Sequence, residues 1–507
     1  MIITINIFKG RLKHSMIEVK ASSIVIHDYN LGDCPKLEKY LTIFDVLPNG
    51  HRLVKMQAFY YDEENNYLII PRGYSIPRLE SILEDNNVHY SNKYDPATRI
   101  SLEPIGEPRD ETQRDGIDFL LSRGKFSDLL YNTQKYVSLN TGLGKTFITV
   151  HAICELKRRS IIIVDSLQIA EQWKGMFLQF SNIKEKDIYL ISGKSSIAKL
   201  YKDSKFEPSY KVYIALHQTF TSIFKSNPQG ITEFFLKTKI GVKVYDEAHV
   251  SWSSIFNIDA LTNTARNIYL SATPGRSNAD ENRLYQYCFE KVPMFGRDNI
   301  MTYRYAAEER DENDKYIKLY YIEYNSNPSY NTQLKMVRRD MFDMNAYYDY
   351  ILNDIFNEFI EYIKRVIDIC LKQDSDRRIV VILGKNDLIQ KVYDDLINEY
   401  PKKSIGRFCG LVSPKNKEAE KDKDIVLSTE KSLGKAINVE NIGYLINTIP
   451  FSSSVIAEQM IGRLRRNEKY SFLFDITDVG FSNCKNNQKY RGKTFDKIAL
   501  SIRKIEL

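Results

Sequence analysis

A unit of strand, glycine loop and helix near residue 140 restricts the fold more than any other part of this sequence. Val137 to Leu139 is predicted to form the strand, Thr141 to Thr146 (TGLGKT) the loop, and Phe147 to Leu156, apolar at helical spacing, the helix. Such a loop points backbone N–H groups at phosphate oxygens, and its lysine supplies a charge to the outer phosphates. The strict pattern has glycine where Leu139 stands, so the match is to the shorter TGxGKT form. An ordinary glycine turn at a helix start is the alternative.

An acidic pair follows a second predicted strand, Val242 to Tyr245, in the tetrapeptide Asp246-Glu247-Ala248-His249. Open parallel sheets bind their ligands at the carboxyl ends of strands. We expect Asp246 to hold Mg²⁺, with the hydroxyl of Thr146 as a further ligand, and Glu247 to orient and deprotonate an attacking water. An isolated acidic pair after a strand is more often merely exposed, but the preceding glycine loop reverses that preference.

A third motif, QMIGRLRR, places Gln459, Arg463 and Arg466 at QxxGRxxR spacing. On a helix from about Ser454 these three side chains share one face, because they are four and three residues apart. A solvated basic helix end has the same pattern. An arginine that reaches a transferring phosphoryl group, however, accelerates its transfer by roughly 10³ to 10⁵.

These motifs, in this order, resemble those of the superfamily 2 helicases of DEAH type, from Gln113 to about Phe474. The resemblance implies an ATP-dependent helicase that uses Mg²⁺, with ATP in a cleft between two domains. It implies nucleotide contacts from Gln113, Thr141, Gly142, Gly144, Lys145 and Thr146. The implied catalytic set is Lys145, Asp246, Glu247, Gln459, Arg463 and Arg466.

Further motifs of the resemblance concern coupling and nucleic acid. His249, Ser271 and Thr273 are implied to couple hydrolysis to domain movement. Contacts to nucleic acid are implied for Ser166, Gln218, Thr219, Lys385 and Thr429. The sequence departs from the family in motif V, where Ala436, Ile437 and Asn438 replace glycine, a hydrophobic residue and aspartate. Asn438 can accept and donate hydrogen bonds but lacks the negative charge of the aspartate.

The predicted fold is α/β, with two tandem RecA-like doubly wound parallel-sheet domains after a small α+β N-terminal domain. The boundaries are 1–105, 106–300 (ATP-binding) and 301–507 with a C-terminal tail, and Pro104 to Arg109 suits a linker. N-terminal strands are predicted at residues 1–7, 16–27, 53–61 and 67–71, with a helix at 76–85.

In the second half, a single helical stretch is predicted from Met344 to Leu371, and a helix with basic and apolar faces in the tail KTFDKIALSIRKIEL. We expect that tail to cap its domain, although contact with nucleic acid is the alternative. Val292 to Asp314, with its charge run, is predicted to be a surface connection.

The N-terminal stretch and the compact motor resemble the UvsW-type branch-migration helicases of tailed bacteriophages, with similarity also to poxviral transcript-release helicases. This implies duplex binding by the N-terminal domain, with Arg52, Lys55 and Arg72 as candidate phosphate contacts; solubilising charge on a half-exposed sheet is the alternative. Remodelling of branched DNA in recombination and repair is the implied function. An RNA or transcript-release translocase and the motor subunit of a restriction complex stay open as alternatives.

Composition agrees with a globular chain and only weakly indicates a nucleic-acid partner, because a basic stripe matters more than the total charge. The 507 residues suit roughly three domains of about 150 residues, and the net charge of +7 fits a polyanionic partner. Six cysteines without CxxC pairs argue against a zinc site and a disulfide framework. Neither a membrane span nor an export signal is predicted, so we expect a cytoplasmic protein, in the host cytoplasm if phage-encoded, and a monomer.

Overall fold

The structure is a computed structural model, in which the chain divides into two compact units, Met1–Glu309 and Arg310–Leu507. The described residues are 16–46, 52–84, 87–140, 142–201, 209–272, 274–275, 279–296, 304–305, 317–338, 341–430, 432, 442–461, 463–464 and 470–506. Among the helices of these ranges, none is long and apolar enough to cross a membrane.

The N-terminal part of the first unit is a small α+β region. Its elements are β1 (Ile17–Val19), β2 (Ser23–Ile26), α1 (Pro35–Tyr40), β3 (Thr42–Val46), β4 (Arg52–Gln57), β5 (Tyr60–Asp62), β6 (Tyr67–Pro71), α2 (Ile76–Leu83) and β7 (Val88–Tyr90). Five strands form a mixed sheet in the order β5-β6-β2-β1-β7, in which only β1 and β7 pair in parallel, and β3 and β4 form a separate antiparallel ribbon.

The rest of the first unit is built on a parallel sheet of eight strands in the order β10-β11-β9-β12-β13-β8-β14-β15. The strands are β8 (Gln134–Ser138), β9 (Ser160–Val164), β10 (Ile188–Ile191), β11 (Val212–Leu216), β12 (Val242–Tyr245), β13 (Arg266–Ser271), β14 (Met294–Gly296) and β15 (Arg304–Tyr305). The helices are α3 (Glu111–Leu121), α4 (Lys145–Leu156), α5 (Leu167–Phe180), α6 (Lys194–Leu200), α7 (His217–Ser226), α8 (Gln229–Thr238), α9 (Trp252–Ala260) and α10 (Ala279–Phe289), with 3₁₀ turns at Gly124–Leu129 and Glu185–Asp187.

Continuous apolar runs explain this sheet. All five residues of β9 (SIIIV) are buried, as are all four of β12 (VKVY). Parallel strands covered by helices on both faces have this composition, whereas an antiparallel strand with one wet face alternates. The lysine within β12 is accommodated because Lys243 donates to Asp259 Oδ1 at 2.5 Å, which in turn accepts from the hydroxyl of Tyr245.

The N-terminal sheet and the parallel sheet of the first unit share one hydrophobic core, which includes Leu68 and Ile70 of β6 together with Ile161 and Ile163 of β9. The predicted linker is docked as well: Ile105 N–H donates to the Phe180 carbonyl at 2.9 Å. The N-terminal region is therefore packed onto the parallel-sheet part of its unit along its length.

The second unit contains a parallel sheet of seven strands in the order β20-β21-β19-β22-β23-β16-β24. The strands are β16 (Ile317–Tyr324), β19 (Arg378–Ile382), β20 (Ile405–Phe408), β21 (Ile425–Ser428), β22 (Ile442–Asn447), β23 (Ser471–Asp478) and β24 (Ala499–Ile505), and β17 (Val337–Arg338) and β18 (Met341–Phe342) form a small hairpin. The helices are α11 (Tyr330–Lys335), α12 (Met344–Asn353), α13 (Phe356–Gln373), α14 (Asn386–Glu399), α15 (Pro414–Lys421), α16 (Ser454–Ile461) and α17 (Ser482–Ile498). The predicted tandem parallel-sheet fold with a small α+β region in front is confirmed.

Several sequence predictions for individual elements were wrong. Two predicted N-terminal strands, 16–27 and 53–61, are each interrupted by a turn, giving β1 with β2 and β4 with β5. The helix predicted at 344–371 is two helices that break at Asp354 and Ile355. Its apolar stripe is nevertheless core, because Tyr347, Ile351, Phe359 and Ile363 are buried.

The remaining differences concern the connection and the tail. Part of the predicted connection at 292–314 forms β14 and β15. The tail continues from α17 into β24, which pairs in parallel with β16 at the border of the sheet. The segment ALSIRKI pairs as a strand with its neighbour, and this pairing outweighs the helical spacing of its apolar residues. The first predicted strand, 1–7, lies outside the described residues.

Candidate functional site

The carboxyl ends of three adjacent strands bring the predicted ATP-site motifs together. The strand β13 lies between β8 and β12, all parallel, with Ser271 paired to Ser138 and Tyr269 paired to Tyr245. The loop after β8, Ser271 at the end of β13 and Asp246 after β12 therefore share one end of the sheet. This is where open parallel sheets bind ligands.

The glycine loop has the backbone conformation that its sequence predicts. Gly142 and Gly144 have φ values of 87° and 91°, in the left-handed region that favours glycine. Lys145 is the first residue of α4, and its Nζ donates to the Leu139 carbonyl at 2.7 Å, across the loop. Thr146 lies in the first turn of α4, so its hydroxyl is at the helix N-terminus, where anions bind. Thr141 lies outside the described residues.

Gln113 contacts the loop directly. A Cβ atom added to Gly144 would lie 2.2 Å from Gln113 Nε2, so only glycine allows this approach. The Gln113 side chain is buried, and its Oε1 accepts from the Arg109 backbone N–H at 2.9 Å. Its backbone N–H is capped by Asp110 at the start of α3. The sequence prediction that Gln113 belongs to the nucleotide site is thus compatible with its place beside Gly144.

Asp246 is a half-buried carboxylate held by an indole. Trp173 Nε1, on α5, donates to Asp246 Oδ2 at 2.8 Å, and Glu247 N–H donates to Asp246 Oδ1 at 3.0 Å. Burial and the neighbouring charge of Glu247 raise the pKa of Asp246 to about 6, although the Trp173 hydrogen bond and the Lys145 charge lower it in part. A carboxylate at this strand end that is raised in pKa by a second carboxylate suits the binding of a cation, because a cation relieves their repulsion.

Glu247, His249 and Ser271 form a linked group next to Asp246. His249 Nδ1 lies 2.8 Å from Ser271 Oγ and 3.3 Å from Glu247 Oε2. Glu247 itself has φ of 47°, an uncommon conformation for a residue with a side chain and one that occurs at functional sites. The predicted coupling residues His249 and Ser271 are therefore in contact, while Thr273 lies outside the described residues.

The oxygen ligands at this end of the sheet fit Mg²⁺. The ion prefers oxygen ligands and is commonly bound by one or two carboxylates together with substrate phosphates. The predicted ligands, the Asp246 carboxylate and the Thr146 hydroxyl, are oxygen donors at this end of the sheet. Within the described residues there is no cluster of three or more histidine, cysteine or carboxylate side chains that would form an all-protein metal site.

Two helices, α5 and α7, begin just after the adjacent strands β9 and β11. These two strands pair in parallel up to Val164 and Leu216, beside the strands that carry the predicted ATP-site motifs. Ser166 caps α5 by accepting from Ile169 N–H at 3.4 Å. Gln218 is exposed in the first turn of α7. Thr219, the next predicted contact, is only 3% exposed, and this burial counts against direct contact with nucleic acid through its side chain.

Hydrogen bonds join these strand ends to the segment after the DEAH residues. Ser251 Oγ donates to Asp165 at 2.5 Å, and His217 Nδ1 lies 3.2 Å from Ser254 Oγ on α9. Burial lowers the pKa of His217 to about 4, so this imidazole is neutral at pH 7.

In the second unit, the predicted contacts are partly described. Lys385 precedes α14 and pairs with Asp349, with Asp387 at 3.7 Å. Thr429 follows β21, and its Oγ1 accepts from Ser432 N–H at 3.2 Å. The helix α16 ends at Ile461 and Arg463 lies in the turn that follows, so the prediction that Arg463 continues this helical face was wrong. The Gln459 side chain, Arg466 and the motif V residues Ala436, Ile437 and Asn438 lie outside the described residues.

The N-terminal basic residues considered for phosphate contact are engaged within the first unit. Burial lowers the pKa of Arg72, which lines a cavity with Trp252 and Asp259. Lys55 Nζ lies 3.3 Å from Glu281 Oε1. These contacts favour a structural role for both side chains; that of Arg52 lies outside the described residues.

Part of the first unit matches a known protein family. Residues 110–276 match the family model "Type III restriction enzyme, res subunit" (ResIII). A putative helicase of Invertebrate iridescent virus 6 is 23% identical over 415 residues, covering 77% of this chain and 80% of the relative. The DNA 3'-5' helicase XPB of Mycobacterium tuberculosis is 26% identical over 149 residues, covering 29% of this chain and 25% of the relative. The matched domain and these helicase relatives show that the chain is an ATP-dependent hydrolase of helicase type.

Solved structures agree with this enzyme's fold. A fragment of a putative HsdR subunit of a type I restriction enzyme from Vibrio vulnificus aligns with a TM-score of 0.50 and 16% identity, over 80% of this chain and 70% of that one. T4 UvsW aligns over 97% of this chain and 99% of that one, but with a TM-score of 0.36 and 16% identity, which is too low to support the specific UvsW resemblance.

Sequence reasoning missed the residues that connect these motifs: Asp165, Trp173, His217, Ser251 and Ser254. The pattern that reveals such residues is a polar or indole side chain directly after a buried strand or on the buried face of the next helix. Trp173 lies in QWKGMF, on the helix that follows β9.

Proposed function

We propose that this enzyme is a Mg²⁺-ATP-driven translocase that remodels branched DNA. The observation that carries the proposal is the position of two helix N-termini, those of α5 and α7, on strands β9 and β11, with hydrogen bonds from both strand ends to the segment after Glu247. Helix N-termini bind phosphate through free backbone N–H groups. A sugar-phosphate backbone bound there would contact the same structure that holds the ATP-site carboxylates.

The chemistry assigned to the ATP site follows from the side chains there. Lys145 and the loop N–H groups bind the outer phosphates, Gln113 contacts the base, and Glu247 orients and deprotonates the attacking water. Mg²⁺, held by Asp246 and Thr146, would neutralise charge that develops on the phosphates. The 3.3 Å approach of His249 to Glu247, and its contact with Ser271, would transmit the state of this site to the end of β13.

DNA is favoured over RNA by the similarity of 149 residues of the chain to a protein described as a DNA helicase. Contacts to phosphates and sugars make such a motor indifferent to base sequence and sensitive to salt. The branched substrate rests on the resemblance of the motif order and the N-terminal stretch to the branch-migration helicases.

Steady-state ATP hydrolysis with Mg²⁺ tests the proposal, compared without nucleic acid and with single-stranded DNA, duplex, a four-way junction and RNA of matched length. The junction should stimulate most, and Lys145→Ala and Glu247→Gln should abolish hydrolysis while sparing DNA binding. Stronger stimulation by RNA would replace the proposal with an RNA translocase. Robust hydrolysis by Glu247→Gln would refute the assignment of the catalytic base.

A second candidate, the motor subunit of a restriction complex, is favoured by the family match over residues 110–276 and by the fold of the HsdR fragment. It requires a nuclease partner. Co-purification with a nuclease subunit, together with ATP-dependent DNA cleavage by the pair, would support this candidate, whereas junction unwinding by the isolated chain supports the first.

A further inference from the structure

The buried indole of Trp173 donates a hydrogen bond to a carboxylate of the proposed ATP site. Trp173 is 2% exposed, and its ring packs near Phe177 on the same helix. Its Nε1 donates to Asp246 Oδ2 at 2.8 Å, and Asp246 is the carboxylate that the proposed site offers to Mg²⁺. A hydrogen bond to a charged group is stronger than one between neutral groups, and it fixes the direction of the carboxylate.

The position of Trp173 along the helix gives this contact a second consequence. Trp173 lies two turns after Ser166, which caps the N-terminus of α5. The same helix therefore carries a predicted phosphate contact at one end and the donor to Asp246 on its buried face. A helix is rigid over this length, so a shift at its N-terminus moves the indole relative to the carboxylate.

We propose that Trp173 is a positioning residue for Asp246, which holds the carboxylate in the orientation that the metal requires and ties it to the helix that begins at the predicted nucleic-acid contact. The proposal rests on the assignment of Asp246 as the metal ligand within the proposed function. The hydrogen bond itself is present whether or not that assignment holds.

The chain offers a matched control, because it has only two tryptophans. Trp252, the first residue of α9, is 1% exposed, and within the described residues its Nε1 has no hydrogen-bond partner. Trp173→Phe and Trp252→Phe thus remove the same volume from the interior of the first unit. Only the first removes a hydrogen bond to the ATP site.

The first experiment measures ATP hydrolysis as a function of Mg²⁺ concentration in wild type and both variants. Trp173→Phe should require about tenfold more Mg²⁺ for half-maximal rate, the effect of losing one hydrogen bond to a charged group, and saturating Mg²⁺ should restore most of kcat. Trp252→Phe should stay close to wild type in its Mg²⁺ requirement. Equal Mg²⁺ requirements in the two variants would overturn the proposal, since both would then be packing defects.

The second experiment has a readout independent of hydrolysis. In Trp252→Phe, Trp173 is the remaining tryptophan, so emission excited at wavelengths that tyrosine does not absorb reports on its hydrogen bond to Asp246. Addition of Mg²⁺ with ADP should change this emission saturably, and the further substitution Asp246→Ala should shift the metal-free emission and abolish the response. An emission unaltered by Asp246→Ala would overturn the positioning role. A metal-free shift without any response to Mg²⁺ and ADP would instead support the contact and count against the proposed metal assignment.

Discussion

At the scale of single residues, the conformation of the glycine loop depends on one close approach. Gly144 and Gly142 share a left-handed φ, but only at Gly144 would a Cβ atom meet another side chain, Gln113. At Gly142 a Cβ would have no atom within 4 Å. Substitution of Gly142 therefore tests backbone strain alone, whereas substitution of Gly144 tests backbone strain together with displacement of Gln113.

We expect Gly144→Ala to lower kcat/KM for ATP by about 100-fold, because misplacement of bound groups by an ångström has effects of this order. Gly142→Ala should lower it by about tenfold, since a left-handed alanine costs roughly 1–3 kcal/mol without displacing Gln113. Steady-state hydrolysis with ATP and GTP would test this, with Gly144→Ala also losing base preference. Equal effects of the two substitutions would show that Gln113 does not contribute.

The buried side chain of His217 predicts how the free energy of unfolding depends on pH. Its pKa is lowered to about 4 by burial, so the folded protein favours the neutral imidazole. The unfolded chain takes up a proton near pH 6.5. The stabilisation is therefore complete above that pH and is lost as the pH falls from about 6.5 toward 4. Between pH 8 and pH 5 the loss from this residue should be about 2 kcal/mol.

Urea unfolding at both pH values, in wild type and His217→Asn, measures this contribution. Asparagine keeps a polar group near Ser254 and does not titrate, so the variant should lose less stability on acidification than wild type. The difference between the two proteins isolates His217 from the other titrating groups. The same acid sensitivity in both would contradict the assignment.

At the scale of elements, the helix α17 is attached to β23 through a fully buried ion pair. Arg491 and Asp475 have side chains that are 0% exposed, with Nε 3.1 Å from both carboxylate oxygens. Arg491 also donates to the Phe451 carbonyl and to Thr477 Oγ1. The inner face of α17 therefore packs in the core of the second unit. This packing supports the expectation that the tail caps its domain.

Arg491→Met should destabilise the second unit by about 3–5 kcal/mol, because it leaves the Asp475 charge buried without its partner. The double substitution Arg491→Met with Asp475→Leu should recover much of that loss, since a well-packed apolar pair needs no compensation. Thermal unfolding of the full chain would measure both, with Arg503→Met on the exposed face of β24 as the control. A small effect of the single substitution would show that water reaches Asp475.

Sequence alone predicted the elements that carry continuous or periodic apolar patterns. The strand at Val242 to Tyr245 is correct to the residue, and α4 begins only two residues before its predicted start. The sequence predictions failed where one apolar pattern continues through two elements, as in α12 and α13. They also failed where pairing with a neighbouring strand determines the secondary structure, as in β24. The Trp173 contact with Asp246 lay beyond the sequence because it depends on how α5 packs on β9 and β11, next to the end of β12.

At the scale of the whole molecule, the N-terminal region and the first parallel sheet behave as one packed body within their unit. A Cβ added to Gly73 would lie 2.2 Å from the backbone oxygen of Cys288 and 2.8 Å from Val292 Cγ2. Arg78 reaches Glu290 at 2.8 Å beside this contact. The N-terminal region therefore reaches the first sheet through backbone contact as well as through a shared core.

Gly73→Ala should consequently destabilise both parts together, by about 1–3 kcal/mol, the usual effect of overpacking. Hydrogen exchange should increase in parallel at β6 and at β9, although only β6 lies next to the substitution. Gly175→Ala, on the exposed face of α5 with no atom within 4 Å of the added Cβ, should leave exchange unchanged or slower. If exchange rose at β6 alone, the N-terminal region would be an independent module; a joint rise means that any duplex it binds moves with the ATP-binding part of the first unit.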